Sequence, residues 1–346
     1  MELKKIKKSF LNVSGNVYDS EFINLVNIQN DKIALDNNTM FLSDKMKKEL
    51  NSNLIEKYQN CIYIFEHQGI YGIVCDIPIE EYNKGNIRNH ELVIPETVQG
   101  MLSNFYGYNG EAAPTLLLHE NKIDLKSIIS KEEYVANKNI ENINIFVYEG
   151  EAAEDILKNY KDIKNMFIGD GHHRMYTTSL TEFKGKVLSC IVSIEDISLL
   201  PIHRKVKDVS EDEFFKALEF IENKFSVETC SRDAKVKKGF IKLIFKEHFF
   251  LIKLIDLNSD AFWNNDVYRL NTQIINQAFR IFDFSRVSYL SPFENFEEVD
   301  SELILELSEL PREEFISAAK SNSILPPKST WMSYKFPSLL VMSMYQ

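Results

Sequence analysis

The stretch MFIGDGHHRMYTTSL, residues 166–180, sets Asp170, Gly171, His172, His173 and Arg174 directly after a short apolar run. MFI reads as a buried strand, and Met175, Ser179 and Leu180 follow at helical spacing, so the polar cluster falls on a strand-to-helix turn. Thr177 and Thr178 weaken the helix, because β-branched side chains lose rotamer freedom there. At such a turn a glycine lets the backbone come close to a ligand, the helix start presents N–H groups lacking intrahelical partners, and an arginine adds a planar cationic fork. These are the parts of a phosphate-holding turn. His172 and His173 add donors for phosphate oxygens, and Asp170 can position a magnesium ion or a hydroxyl. The plainer alternative is that Asp170 caps the helix and one histidine is a satisfied interior residue.

Working outward, EAAEDILKNYKDI (151–163) is an amphipathic helix before the turn, and KVLSCIVSI (186–194) is a strand after it. CIYIFEHQGIYGIVCDI (61–77) holds two β-rich runs around Gln68-Gly69, which reads as a hairpin. PETVQGMLSNF (95–105) begins with proline and an acidic residue, a helix start. APTLLLHE (113–120) and INIFVYEG (143–150) read as strands. Beyond about residue 210, SEDEFFKALEFIENKF (210–225) is a helix with a capping box of Ser210 and Glu213. GFIKLIFKEHFFLIKLI (239–255) reads as two antiparallel strands, DVYRLNTQIINQAF (266–279) as a helix, and PPKSTWMSYKFPSLLVMSM (326–344) as strand-like segments. The pattern predicts an α+β protein divided at 210/211 into a larger domain and a smaller α+β lobe with its own sheet.

Composition narrows the function. Forty Lys and Arg against 51 Asp and Glu give a net charge of −11, a field that opposes a non-specific grip on nucleic acid or an anionic membrane. The four cysteines have no metal-ligand spacing and lie in or beside apolar stretches, which predicts buried free thiols in a reducing compartment. No stretch reaches the length of a membrane span or signal segment, so a soluble cytoplasmic protein is expected. Adjacent histidines on a helix point about 100° apart, unlike the same-face pair of an HExxH zinc site. There is no GxSxG, GxxxxGK[ST] or GxGxxG.

Two other stretches resemble the turn. NIRNHELVIPET (86–97) carries His90 and Glu91 after Arg88, and LLPIHRKV (199–206) carries His203 and Arg204. Solvated loops would explain each alone. Four of the seven histidines in three polar clusters favour a shared pocket. Glu66, inside a strand-like run, must face solvent or a site.

In order, the turn, LLPIHRKV and ILPPKSTWMSYKFPSLLV (324–341) resemble landmarks of the uncharacterised family DUF1015: a DGHHR-type turn, a later Pro-x-His-Arg segment and a C-terminal Pro-x-Lys-Ser-Thr run. RNHE (88–91) falls at that family's Pro-His-Glu stretch, with Asn89 in place of proline. The family's N-terminal Pro-Pro-Tyr-Asp-Val element is echoed by NVYDS (16–20). The resemblance spans about residues 60 to 346. The Pro-His-Glu and Asp-Gly-His-x-Arg pairing is also similar to the free-serine kinases of the ParB/sulfiredoxin-like superfamily. That similarity implies a ParB/sulfiredoxin-like mixed α/β core, ATP or ADP with Mg²⁺ as cofactors, and transfer of a phosphoryl group to a small hydroxyl acceptor, free L-serine foremost. It implies Glu91 as base beside His90, Asp170 to Arg174 as phosphate cradle with Asp170 near magnesium, and Glu66, His203, Arg204 and Lys328 as further phosphate or substrate contacts. A nucleotide-binding regulatory module without turnover is the rival reading.

Overall fold

The structure, a computed structural model, describes residues 1–15, 17, 24–34, 54–257, 259–260, 262–293, 301–321, 323–326 and 328–345. The NVYDS echo, apart from Val17, lies outside the described residues. The chain forms two compact units. One comprises Met1–Asn89, Val93–Ile197 and Tyr334–Gln346, the other His90–Leu92 and Ser198–Ser333. The division thus falls thirteen residues before the expected 210, and the C-terminus returns to the first unit. The return is made by Val341–Met344, which pairs antiparallel with Ile6–Asn12, Ser9 opposite Ser343.

Among the described residues, the first unit is built on a mixed thirteen-stranded sheet. The apolar runs around Gln68-Gly69 form the expected hairpin, Ile55–His67 with Ile70–Pro78. Gln68 (φ 53°) and Gly69 (φ 84°) take the two left-handed positions that a tight hairpin turn requires. Next to Ile70–Pro78 lie Lys186–Ser193, Thr115–His119, Met166–Asp170 and Ile87–Arg88, in that order. Met166–Asp170 therefore runs antiparallel to Thr115–His119 on one side and parallel to Ile87–Arg88 on the other. Met166, Ile168 and, across the turn, Met175 are all fully buried in one core with Ile62, Ile64 and Ile73. Apolar anchors on both sides of the polar cluster hold the strand-to-helix turn in place.

Among the described residues, the second unit has a six-stranded antiparallel sheet in the order Ser226–Thr229, His248–Lys253, Phe240–Phe245, Leu303–Glu306, His203–Val206, Val287–Leu290. Phe214, Leu218 and Ile221 of the helix Glu211–Lys224 bury against it, together with Leu270 and Ile274. Ser210 Oγ accepts the Glu213 N–H at 3.2 Å, as the capping pattern predicts. The other half of the box is absent, because the Glu213 carboxylate instead accepts from both terminal guanidinium nitrogens of Arg286 at 3.1 and 3.2 Å. The expected helix from Asp266 is α-helical only over Asp266–Arg269 and continues as a wide π-helix over Leu270–Ala278. Cys61, Cys75 and Cys190 are buried free thiols, while Cys230 is partly exposed. Among the described residues no helix is long and apolar enough to cross a membrane.

Candidate functional site

The turn is shaped in two steps. Between Ile168 and Asp170 the register against Thr115–His119 shifts, a bulge at Gly169 that re-aims Asp170 at the end of its strand. Gly171 then adopts φ 94°, ψ 27°, and the helix His172–Ser179 begins. A Cβ on Gly171 would lie 2.7 Å from Arg174 Nη2 and 3.0 Å from Thr115 Oγ1, so both conformation and space demand glycine here. Gly171 is the N-cap and has no side chain to accept a first-turn N–H, which leaves that end of the helix suited to an anion.

Arg174 is a buried brace rather than an open cationic fork. It is 5% exposed. Nη1 donates to Asn24 Oδ1 at 2.7 Å, and Nη2 donates to the Pro114 carbonyl at 3.2 Å and to Asp170 Oδ2 at 3.1 Å. The guanidinium thus ties the first helical turn to two distant segments and to the strand end. Its Nε and the Thr115 hydroxyl are buried without a hydrogen-bond partner. His172 is also buried, and loss of hydration, reinforced by the charges of His173 and Arg174, pushes its imidazole down to about 3. It is a neutral interior residue, which corrects its reading as an open phosphate donor. His173 is half-buried, and its Nε2 accepts the Ile94 N–H at 2.9 Å. Asp170 is half-buried; its Oδ1 lies 4.0 Å from Lys335 Nζ.

Behind the turn lies a buried charge network that the sequence did not disclose. Lys184 Nζ donates to Glu111 Oε1 and to Thr178 Oγ1, both at 2.8 Å, and sits 4.8 Å from the centre of the Phe105 ring. Glu111 Oε2 accepts the Leu188 N–H at 2.9 Å. Burial lowers the Lys184 ammonium, and the Glu111 carboxylate counters that shift. Asp76, paired with Lys186, is pushed up to about 6 by burial, with Lys186 pulling the other way.

The second unit holds five other predicted residues. The His90 carbonyl accepts the Leu325 N–H at 2.8 Å, and the buried His90 ring meets Phe315 edge-on at 4.6 Å. Arg204, 1% exposed, donates Nη1 to the Ile202 carbonyl at 2.6 Å and Nη2 to the Lys328 carbonyl at 2.9 Å, and lies 4.7 Å from the Tyr289 ring centre. Burial lowers its guanidinium to about 10, while Tyr289 and the half-buried Glu91 favour the cation. The segments bearing Glu91, Arg204 and Lys328 therefore meet. Lys328 contributes its backbone, and its side chain is exposed. His203 Nδ1 accepts the Leu307 N–H at 3.1 Å, and burial lowers its imidazole.

Glu66 is corrected from a substrate contact to a hairpin brace. Its Oε1 accepts the Gly69 N–H at 3.0 Å and its Oε2 accepts Asn144 Nδ2 at 2.6 Å, and these bonds lower its carboxyl. Among the described residues no three His, Cys, Asp or Glu side chains converge as a metal site. Arg174 and Lys335 flank Asp170 with positive charge, so this carboxylate alone is poorly suited to recruit a magnesium ion, and only phosphates arriving with the metal would complete its ligands.

The chain belongs to the family described as Protein of unknown function (DUF1015), whose model matches residues 16–273. The matched span contains the turn, His90, Glu91, His203 and Arg204, but ends before Lys328 and the Pro-Pro-Lys-Ser-Thr run. A search of curated proteins gave no significant match. Among solved structures, the chain is similar to C-terminally truncated SbnI from Staphylococcus aureus (13% identity, TM-score 0.45, 78% of this chain and 86% of that one). It is also similar to a free serine kinase in complex with ADP (12%, TM-score 0.41, 77% and 92%) and to a conserved hypothetical protein from Pyrococcus furiosus (15%, TM-score 0.40, 77% and 95%). At these identities and TM-scores the likeness assigns no residue a role.

Proposed function

We propose that this chain is a nucleotide-dependent small-molecule kinase that uses ATP or ADP with Mg²⁺ and phosphorylates a hydroxyl acceptor, with free L-serine the first candidate. The observation that carries the reading is the bulge, left-handed glycine and uncapped helix start at 169–172, braced by buried Arg174. Backbone N–H groups and the helix dipole at such a turn hold phosphate without a P-loop. In this reading Gly171, His172, His173 and Arg174 form the phosphate cradle, with His172 and Arg174 acting chiefly by holding its shape. Asp170 would help to hold the metal that accompanies the phosphates. Glu91 takes the proton as the acceptor oxygen bonds to the terminal phosphorus and the phosphoanhydride bond to the departing nucleotide breaks. Phosphoryl transfer depends on positioning and charge neutralisation more than on covalent catalysis, so these few groups suffice. The ParB/sulfiredoxin-like kinship proposed from the Pro-His-Glu and Asp-Gly-His-x-Arg pairing is consistent with this chemistry.

The test is to incubate the purified protein with ATP or ADP, Mg²⁺ and an amino-acid pool, and to look by mass spectrometry for an acceptor heavier by one phosphate. Glu91→Gln keeps the shape and removes the basic oxygen. Its turnover is expected to fall by about 10²-fold or more, with nucleotide affinity changed far less. Parent-level turnover in that variant removes Glu91 as base. Nucleotide affinity without phosphorylated product from any hydroxyl acceptor gives precedence to the regulatory module.

A further inference from the structure

We infer that the second unit has a binding site of its own, in a groove beside the loop 233–238, for a small dipolar ligand: an amino acid or dipeptide with an apolar side chain. Side chains alternate along a strand, so Leu243 and Phe245 enter the large core beneath the helix Glu211–Lys224 while Lys242 and Ile244 take the other face of the sheet. On that face Ile244, Leu290 and Ile304 form a small apolar cluster. The open groove has a volume of about 710 Å³, within the size range of small-molecule sites, and its lining includes His203, Lys242 and Glu306.

Two of the lining lysines are already neutralised. Lys242, with a side chain 4% exposed, pairs with Glu306 at 2.6 Å and donates to the carbonyls of Arg232 at 2.7 Å and Ala234 at 3.2 Å, so a buried ammonium fixes the loop on the sheet. Lys238 is held by Glu314 at 2.8 Å and Asp266 at 3.3 Å. The charges that remain have both signs. Lys235 and Lys237 on the loop, and Asp233 and Glu309, are exposed, line the same groove and form no ion pair among the described residues. A simple anion would meet the two carboxylates and a simple cation the two lysines; a molecule with a carboxylate at one end and an ammonium at the other suits all four. His203 adds direction. Its Nδ1 accepts the Leu307 N–H at 3.1 Å and burial keeps the ring neutral, so Nε2 carries the proton and is a donor without a partner among the described residues. It supplies a hydrogen bond to the ligand carboxylate. Leu200, Pro201, Val236 and Phe293, the last 68% exposed, give the apolar lining that a side chain would cover.

The site uses no residue of the 170–174 turn and stands or falls apart from the kinase reading. The test is calorimetric titration of the full chain with L-phenylalanine and with alanyl-phenylalanine, neither of which has an alcohol to accept phosphate. The N-acetyl and C-terminal amide forms of the tighter probe follow. Blocking either end is expected to weaken binding about fivefold or more, the upper range for charged contacts near the surface. Lys235→Gln/Lys237→Gln should weaken the unblocked probe by a similar factor and leave the amide unchanged, because the amide has no carboxylate for the lysines to meet. Glu309→Gln should do the converse and spare the N-acetyl form. All three residues are exposed, so the fold is expected to survive, which circular dichroism checks. The tighter of the two probes decides between amino acid and dipeptide. Binding of neither overturns the site. A blocked form as tight as the free one overturns the dipolar reading, and equal affinity in parent and double variant removes the groove from the role.

Discussion

Two His-Arg pairs, His173-Arg174 in the first unit and His203-Arg204 in the second, look alike in sequence and are used differently. Both arginines are buried, yet Arg174 meets a carboxylate, Asp170 Oδ2 at 3.1 Å, whereas Arg204 donates to backbone carbonyls, those of Ile202, His203 and Lys328, and lies over the Tyr289 ring. Arg174 is a strut between a strand end and a helix start. Arg204 is a knot that joins 202–204 to 328, next to the segment carrying Glu91. Each histidine accepts a backbone N–H, but through opposite nitrogens, Nε2 in His173 and Nδ1 in His203. The proton of each neutral ring must then sit on the other nitrogen, so the two imidazoles offer opposite edges for donation. Similar residue pairs therefore make a strand-to-helix turn rigid in one unit and tie 202–204 to 328 in the other.

Removing the arginines should separate these roles most clearly. Arg204→Ala leaves the carbonyls of Ile202 and Lys328 without their donor and opens a cavity, and is expected to cost about 3–5 kcal/mol. Arg174→Ala should cost less, about 2–4 kcal/mol, because half-buried Asp170 keeps both solvent and Lys335. Both tryptophans, Trp263 and Trp331, belong to the second unit. Tryptophan fluorescence during denaturant unfolding should report the larger shift for Arg204→Ala, while circular dichroism registers both. An Arg174→Ala protein as stable as the parent would restore the picture of a solvated arginine.

Acidity probes the burial of His172. Its folded-state value of about 3 lies below the ordinary 6.5, so the unfolded chain binds the proton more readily. The resulting stability is fully present above pH 6.5 and is lost as pH falls toward 3, at up to about 1.4 kcal/mol per pH unit. Asp76, raised to about 6, works in the opposite direction: its contribution is present below about 3.8 and is lost as pH rises through 6. The useful measurement is therefore the slope of stability against pH in His172→Gln relative to the parent. A slope less positive than the parent's, by up to about 1.4 kcal/mol per pH unit between pH 6.5 and 4.5, is expected, with the opposing slope of Asp76 left uncompensated below pH 6, and an identical one would mean that His172 keeps its proton on folding.

The strand, the turn and the helix at 166–179 were legible because apolar anchors at Met166, Ile168 and Met175 follow the two periods that local structure imposes. The burial of Arg174 was not, since its partners Asn24 and Pro114 lie 150 and 60 residues away and have no pattern of their own. Lys335 was hidden for the same reason: within SYKFP it reads as one polar residue in a strand-like tail. Glu111 and Lys184 form an internal ion pair that spacing cannot reveal across 73 residues. Nor does apolar spacing over nine residues distinguish an α-helix from the wide helix at Leu270–Ala278. Ser210 was read correctly because capping is local, but Glu213 was not, because Arg286 competes for its carboxylate.

The smallest effect tests the histidines as backbone acceptors. The Ile94 N–H bond to His173 lies in an exposed setting at the start of the Pro95–Gly107 helix, whereas the Leu307 N–H bond to His203 is partly buried. Water can replace His173 as acceptor, so His173→Ala should change global stability by no more than about 0.5 kcal/mol. His203→Ala leaves a less accessible N–H to find a new partner and should cost about 1 kcal/mol. Amide hydrogen exchange reads the two sites directly, with faster exchange expected at Ile94 in the first variant and at Leu307 in the second, each without change at the other. If His173→Ala slows phosphoryl transfer while Ile94 exchange is unaltered, the His173 ring acts on the ligand rather than on the helix start, and the contrast between the two pairs becomes one of chemistry as well as of packing.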